Sequence, residues 1–279
     1  MVITQATAKE ILSKSQPLIA LALMVIAMSF ASDAFLTPEN GWNILRQISV
    51  NLCLSIGMTL IILSGGIDLS CGAILALAGA VAAGELKHGI ELPMFDMLLH
   101  FTRAGAIVAG VVVGLAAGWF NGFVITKFRL PPFVATLGMF SIARGLTMLW
   151  TGGFPVTGLG ESFGYLGTGV FLGVPMPVWI TAGLVAVFVV VTRKTRFGRY
   201  LYAVGGNERA AVLTGLRVKR IKVWVYTLGG GLAGVAGLLV TARLDSAQPN
   251  AGLGYELDSI AAVVIGGTSL SGGRGSVMG

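Results

Sequence analysis

Polar side chains recur at helical spacing inside one of the long apolar runs of the chain. Every fourth residue there is polar, from Gln47 through Asn51 and Ser55 to Thr59. Residues four apart stay on one face of an α-helix, drifting by only about 40° per step. Neutral amide and hydroxyl groups can exchange hydrogen bonds with a polar solute without trapping it. The stripe is therefore a candidate lining for a solute pathway, with hydrogen bonds between neighbouring helices as the alternative.

A second polar stripe lies on a later apolar run, at Thr136, Ser141, Arg144 and Thr147. These positions share one helical arc about 140° wide. Arg144 falls well inside the run, where a guanidinium group is costly unless it faces water or a partner. This stripe is a further candidate lining of the same pathway, and hydrogen bonding between helices is again the alternative.

Sets of side chains that would indicate catalysis or metal binding are missing from the sequence. The phosphate-binding pattern G-x-x-x-x-G-K-[ST] does not occur, so we do not expect the chain to hydrolyse ATP. No His, Cys, Asp or Glu cluster has metal-ligand spacing. Asp68 follows a glycine pair, and we expect its carboxylate to cap the next helix rather than to contact a solute. We predict no catalytic residue, no metal and no cofactor bound by this chain.

The composition is that of an all-α polytopic membrane protein. The 279 residues are 55% hydrophobic and only 11% charged, whereas a soluble domain has about 25% charged residues. The apolar runs are long and do not alternate, which favours helices over a β-barrel. We expect one transmembrane domain over residues 1–279, beginning with an uncleaved helix. About eight spans are predicted, at 17–35, 44–64, 66–84, 104–126, 132–151, 177–192, 223–242 and 257–267.

The distribution of basic residues predicts the orientation of these spans. Nine of the 19 Lys and Arg residues fall within 193–222, against one acid, Glu208. If residue 1 is inside, fourteen basic residues lie inside and three outside. Short loops rich in Lys and Arg stay in the cytoplasm, so we predict a cytoplasmic N-terminus, a basic cytoplasmic loop at 193–222 and an external segment at 152–176. Topology thus explains the net charge of +7, and nucleic-acid binding is not expected.

A short helix is predicted within the basic loop. Asn207 is a good N-cap, Glu208 suits the first turn, and Gly215 suits the position after the last turn. The whole segment is Asn207, Glu208, Arg209, Ala210, Ala211, Val212, Leu213, Thr214 and Gly215. It would form a rigid knob at the membrane face, and Ala210, Ala211 and Leu213 are small or apolar enough to seat in a partner. A solvated connector is the alternative.

Two glycine patterns concern helix packing and repetition. Glycines recur every four residues from Gly110 to Gly122, which predicts a groove where a neighbouring helix approaches closely. Residues 65–72 match residues 266–273 at five of eight positions, an internal repeat. The first copy leads into an apolar helix, whereas the second is followed by only six residues. We therefore expect that one or two C-terminal helices are missing from the chain.

Several motifs together resemble the signature of the ribose/xylose/arabinose-type ABC sugar permeases. They are Gly57-Met58-Thr59, Ser64 to Ser70 with Gly72, Pro131 to Gly138 with Ala143-Arg144-Gly145, Gly198-Arg199 to Gly215, Tyr255 to Asp258, and Gly266 to Gly275. The matches keep one order from about residue 40 to residue 279. Within the motifs, structural roles are expected for Gly65, Gly66, Asp68, Ser70, Gly72, Gly266, Gly267 and Gly273.

The resemblance implies a type II-like importer permease of the bacterial inner membrane that forms a homodimer surrounded by lipid. It further implies a cytoplasmic ABC ATPase, which binds ATP and Mg and docks on the 207–215 helix. A periplasmic binding protein would deliver a ribose-like pentose or a related sugar. Two alternatives stay open: a secondary transporter with broken helices, and an importer of the same fold for amino acids or nucleosides.

Overall fold

The computed structural model describes residues 19–92, 97–99 and 101–279. Within this part of the chain most residues are helical, and strands occur only as short pairs. The described residues divide into two compact units, one that ends at Leu45 and one that runs from Arg46 to Gly279.

The first unit contains α1 (Ile19–Ala31) and the beginning of α2. The side chains of α1 are apolar and mostly exposed. After α1, the side-chain amide of Asn40 donates to Phe35 O at 2.9 Å, and Thr37 Oγ1 accepts from Asn40 N–H at 3.4 Å. Pro38 begins α2, at a position where a backbone N–H would have no partner within the helix.

Among the described residues, five helices are long and apolar enough to cross a membrane. They are α2 (Pro38–Leu63), α4 (Arg103–Phe128), α5 (Pro132–Thr151), α7 (Met176–Lys194) and α10 (Val218–Leu244). The prediction of a helical polytopic membrane protein is confirmed at this level. The count of eight spans is not confirmed, because the helices on the other three predicted spans are shorter. These are α1, α3 (Cys71–Lys87) and α11 (Tyr255–Ile265).

Shorter elements lie in the connections. Three of them are helices: α6 (Glu161–Thr168), α8 (Arg196–Gly206) and α9 (Glu208–Leu213). The strands form antiparallel pairs: β1 (Ile90–Leu92) with β2 (Met97–Leu99), β3 (Val156–Thr157) with β6 (Ser246–Ala247), and β4 (Val170–Phe171) with β5 (Val174–Pro175). Such two-stranded pairs are too small to be stable alone, so they serve as ties between helices.

The central helix of the second unit is α3. Its side chains from Cys71 to Ala80 are all buried, and it contacts α4, α5, α10 and α11. A helix that is apolar on every face must be surrounded by other elements. Small residues permit this, since a Cβ atom at Gly79 would overlap the hydroxyl group of Thr241 on α10. This short helix is therefore the core around which the longer helices pack.

The glycine face predicted on α4 packs against α10. A Cβ atom added at Gly114 would lie 3.0 Å from Gly234 Cα, and one added at Gly118 would lie 3.0 Å from Gly230 Cα. Each of these contacts joins two backbones, and small residues are what allow helices to approach so closely. The predicted groove is confirmed, and α10 contributes glycines of its own to the crossing.

After α10 the chain turns back along α3 before α11 begins. Ala247 packs with Ala83 near one end of α3, and Gly252 lies against Gly72 in its first turn, where an added Cβ would overlap Gly252 O. We call residues 246–254 the re-entrant segment. Irregular backbone at membrane depth is tolerated only where protein or water satisfies its polar groups. α11 begins only after this return and has 11 residues.

Candidate functional site

The polar stripe of α2 faces a cavity of about 280 Å³. Asn51, Ser55 and Thr59 lie on one wall, and Thr268 and Ser276 reach the cavity from the C-terminal segment. The remaining lining is Ile48, Leu52, Ile56, Ala262, Val263, Val277 and Gly279. Hydroxyl and amide groups on two walls, with apolar groups between them, suit a small polar solute.

Gln47 was predicted with this stripe but is exposed and does not line the cavity. The deeper residues differ from it: Ser55 and Thr59 are both buried. Thr59 Oγ1 donates to Ser55 O at 2.7 Å, a bond within the helix that leaves the hydroxyl oxygen free to accept another. The structure thus keeps three of the four predicted residues together.

The structure separates the members of the second stripe. Thr136 and Thr147 are fully buried, whereas Ser141 is exposed. Thr136 Oγ1 accepts from Leu69 N–H at 3.2 Å, which ties α5 to the connection between α2 and α3. Thr147 Oγ1 donates to a carbonyl group of its own helix at 2.7 Å. No member of this stripe is among the described residues that line the cavity beside α2, so the two stripes are not brought together.

Arg144, on the same helix, holds the re-entrant segment. Its Nη1 donates to Pro249 O at 2.6 Å and to Ala251 O at 3.0 Å. The guanidinium carbon also lies 5.7 Å from the centre of the Phe140 ring, within the range of a cation–π contact. These contacts lower the cost of an arginine inside a span and satisfy two carbonyl groups of irregular backbone, while Nε and Nη2 of Arg144 are buried without a hydrogen-bond partner.

A hydrogen-bonded cluster fills the connection between α2 and α3. Asp68 Oδ1 accepts from Ser70 N–H at 2.7 Å and from Ser70 Oγ at 2.5 Å, and the side-chain amide of Asn121 on α4 donates to Ser70 Oγ at 2.9 Å. All three side chains are buried, so these bonds replace hydration. The prediction that Asp68 caps α3 is wrong: Ser70 is the N-cap residue, and Asp68 instead holds Ser70 in position.

The two copies of the glycine-rich repeat each follow the end of a helix, and they pack against each other. Gly65 follows α2 with φ +81°, and Gly267 follows α11 with φ +86°. In both, the next amide bonds back across the turn, as in a Schellman motif. The residue with the left-handed backbone is the first glycine of the pair Gly65-Gly66 but the second glycine of the pair Gly266-Gly267. Gly272 packs on the first copy, because an added Cβ would lie 3.1 Å from Gly65 Cα.

Helix α8, which the sequence analysis missed, connects the basic loop to this glycine contact. It ends at Gly205 and Gly206, and a Cβ atom on Gly205 would overlap Leu63 O at the end of α2. Gly273 N–H donates to the same carbonyl group at 3.0 Å. The end of α2, the end of α8 and the C-terminal glycines therefore form one tight junction, which we call the glycine junction.

Tyr202 adds a side-chain contact to the glycine junction. Its hydroxyl group donates to Gly275 O at 2.8 Å. Burial raises the pKa of Tyr202, and the nearby charge of Arg193 lowers it by a smaller amount, so the phenol stays protonated as a donor. The spacing of Leu201 and Val204, both buried on α8, could have revealed this amphipathic helix in the sequence.

The short helix predicted in the basic loop is present as α9. Asn207 Oδ1 accepts from Ala210 N–H at 3.0 Å, and Gly215 has φ +81° after the helix ends. Both predicted caps are confirmed. Lys222 Nζ lies 2.7 Å from Glu208 Oε2, and this ion pair joins α9 to the first turns of α10.

One edge of α9 is apolar and open. Leu213 is 87% exposed and Val212 is 56% exposed, and Ala210 is exposed beside them. The prediction that Ala211 seats in a partner is wrong, because Ala211 is only 4% exposed and packs in the same buried cluster as Leu201 of α8. The docking edge is therefore narrower than the sequence indicated.

Comparison with known proteins identifies the family of the chain. The family model described as branched-chain amino acid transport system / permease component matches residues 40–279. The chain belongs to this family. As a member of it, the chain is a multi-pass membrane protein and a transport component. No solved structure matches the chain at a significant level.

Relatives within the family are similar over nearly the whole chain. The ribose import permease protein RbsC of Bacillus subtilis (strain 168) is 46% identical over 271 residues, which is 96% of this chain and 81% of the relative. The protein of the same name from Escherichia coli (strain K12) is 47% identical over 272 residues, again 96% and 81%. The D-allose transport system permease protein AlsC of Escherichia coli (strain K12) is 37% identical over 255 residues, which is 91% of this chain and 75% of the relative.

The chemistry of the described residues suits passage of a solute through a permease. The cavity beside α2 presents neutral donors and acceptors, which bind weakly and release readily. Across residues 19–92, 97–99 and 101–279, no group of three or more His, Cys, Asp or Glu residues could hold a metal ion.

Proposed function

We propose that the chain is the membrane-spanning subunit of an ABC importer that takes up a ribose-like pentose. The observation that carries this proposal is the 46–47% identity, over 96% of the chain, to proteins named ribose import permease. A permease named for D-allose is less similar, at 37% identity, and one named for xylose is at 32%. The family description mentions amino acids, but these relatives favour a sugar as the cargo.

The proposed pathway runs along the polar stripe of α2. Asn51, Ser55 and Thr59 offer one amide and two hydroxyl groups to the cavity, and Thr268 and Ser276 face them. A pentose carries several hydroxyl groups that both donate and accept, so it can exchange hydration for these groups at small cost. The apolar residues of the lining give the sugar ring contacts that do not bind it tightly.

The proposed contact with the ATPase is the exposed edge of α9. A cytoplasmic ATPase subunit, which would bind ATP and Mg, would bury Val212 and Leu213. α9 follows α8 directly, and α8 ends at the glycine junction against Leu63 O. Displacement of α9 would therefore reach the end of α2, the helix that carries the pathway stripe. The glycine junction is suited to this role because its backbones touch without intervening flexible side chains.

The proposed assembly follows the orientation predicted from charge. The basic loop would lie in the cytoplasm with the N-terminus, in the inner membrane of a bacterium. A second copy of the chain would complete the translocation unit, and a periplasmic binding protein would deliver the sugar at the opposite face. Sugar selection would then rest partly on the binding protein.

Growth of a bacterial strain that lacks its own ribose permease tests the proposed function. We expect the protein, expressed at its full length with the matching ATPase and binding protein, to restore growth on ribose as the sole carbon source. A strain that lacks its branched-chain amino acid permease should not be rescued on limiting leucine. Rescue on leucine without rescue on ribose would refute the sugar assignment.

A further inference from the structure

A groove between α4 and α10, close to the basic loop, combines two tryptophans with two basic residues. Its cavity of about 370 Å³ is lined by Trp119, Lys219, Arg220, Val223, Trp224 and Thr227. Trp119 and Trp224 are 49% and 60% exposed. No part of the proposed pathway or of the α9 edge contributes to it. We propose that this groove binds an anionic phospholipid through its headgroup phosphate, with the acyl chains against the tryptophans.

The order of residues along the groove matches the layers of a bilayer. Lys219 and Arg220 lie in the first turn of α10, and Trp224 follows Lys219 by five residues, which places it about 7.5 Å deeper. Trp119 lies nine residues before the end of α4 at Phe128, about 13.5 Å from that end. Tryptophan favours the boundary between headgroups and acyl chains, which suits Trp224, whereas Trp119 lies deeper, at the level of the acyl chains. Basic pockets between helices at the cytoplasmic face bind anionic headgroups.

Among the residues that the structure describes, the basic residues of the groove have no acidic partner of their own. Within the described chain, Glu208 is paired with Lys222, and neither Lys219 nor Arg220 lies within salt-bridge distance of a carboxylate. The N-terminus of the 27-residue helix α10 adds partial positive charge at the same place. The anionic headgroup of a membrane lipid would complement the positive charge of Lys219, of Arg220 and of the N-terminus of α10.

The shape of the groove is fixed by the backbones that form its floor. An added Cβ at Gly122 would lie 2.7 Å from Val223 Cα, so α4 and α10 touch just beneath the opening. Trp119 is further held by stacking on Phe123, with the ring centroids 5.4 Å apart. Both helices are long and apolar enough to cross a membrane, so we expect the exposed tryptophans to contact acyl chains rather than a water-soluble partner.

Native mass spectrometry of the detergent-solubilised full chain tests the proposal. Phosphatidylglycerol and phosphatidylcholine with identical acyl chains would be titrated separately. We expect phosphatidylglycerol to bind at least tenfold more tightly, because each basic residue near an anionic headgroup contributes about fivefold, whereas the choline group of phosphatidylcholine cancels the charge of its phosphate. Lys219→Gln/Arg220→Gln should abolish this preference. The matched control is Arg196→Gln/Arg199→Gln, which removes two exposed basic residues of α8 and should retain the preference. Trp224→Ala should weaken the binding of both lipids and leave the ratio of their affinities unchanged.

Three outcomes would overturn the proposal. One is equal binding of the two lipids by the wild-type chain. Another is equal loss of the preference in both double variants, which would mean that overall charge rather than the groove attracts the lipid. The third is loss of self-association or of ATPase binding in Lys219→Gln/Arg220→Gln with lipid binding intact, which would make the groove a protein interface. None of these results depends on which solute is transported.

Discussion

Replacement of Gly118 by alanine tests the packing on which the whole helical bundle depends. An added Cβ there would overlap Tyr226 O and lie 3.0 Å from Gly230 Cα. Carbon atoms in favourable contact are about 3.5–4.0 Å apart, so α4 and α10 would have to separate by roughly 0.5 Å or more. Both obstructing groups are backbone atoms, which cannot rotate away as a flexible side chain could.

The size of the effect follows from two opposing contributions. Overpacking of this kind costs about 1–3 kcal/mol, whereas alanine in place of glycine inside a helix gains about 1 kcal/mol. Gly183 on α7 is the matched control, because an added Cβ there has no atom within 4 Å. Both variants gain the same helix propensity, so the difference between them isolates the steric cost of about 1–3 kcal/mol. That difference corresponds to roughly 3–10 °C in melting temperature.

The two free cysteines make the measurement possible without added labels. Cys53 and Cys71 are both buried, so a maleimide dye that fluoresces on reaction with thiols should report unfolding. In a thermal ramp in detergent, Gly118→Ala should release its thiols at a lower temperature than Gly183→Ala. Equal melting temperatures, or a higher one for Gly118→Ala, would refute the close crossing of α4 and α10.

Three further substitutions test the candidate site. Leu213→Asp should reduce co-purification of the ATPase at least tenfold while the folded yield stays unchanged, because a charge would be buried without a partner at that contact, whereas Ala211→Asp should lower the folded yield itself. Arg144→Ala should lower the melting temperature, since two charged hydrogen bonds worth roughly 1.5–3 kcal/mol each are lost, and Arg144→Lys should recover part of it. Ser55→Phe should fill the cavity beside α2 and abolish ribose uptake without affecting ATPase co-purification.

Each of these predictions has a result that contradicts it. Wild-type ATPase yield with Leu213→Asp would make α9 a solvated connector. If Arg144→Ala keeps its melting temperature but loses ribose uptake, Arg144 lines the solute pathway, as the sequence predicts. Normal ribose uptake by Ser55→Phe would show that the solute does not pass along this face of α2.

Local signals in the sequence predicted the parts of the fold that depend on neighbouring residues. The caps of α9 follow from Asn207 and Gly215 alone, and the close contact of α4 follows from its glycine spacing. The re-entrant segment could not be found this way. Its backbone is stabilised by Arg144, more than 100 residues earlier in the chain, so no local pattern marks it.

The errors in the candidate site have the same origin. A helical arc shows which residues share a face but not what that face contacts, so the stripe on α5 seemed equivalent to the stripe on α2. In the structure the hydroxyl group of Thr136 accepts a hydrogen bond from the backbone N–H of Leu69, whereas Ser55 and Thr59 line a cavity. Ala211 was misassigned because its partner, α8, depends on tertiary packing. The error at Asp68, by contrast, is local: its carboxylate accepts from Ser70, two residues later, and Ser70 is the N-cap of α3.

Uptake by proteoliposomes tests the central claim most directly. The full-length protein would be reconstituted with its ATPase, with ATP and Mg enclosed, and with the binding protein and radiolabelled ribose outside. We predict accumulation of ribose against its gradient with ATP enclosed, and none when a non-hydrolysable ATP analogue replaces it. Accumulation driven by a proton or sodium gradient in the absence of ATP would contradict the account and indicate a secondary transporter.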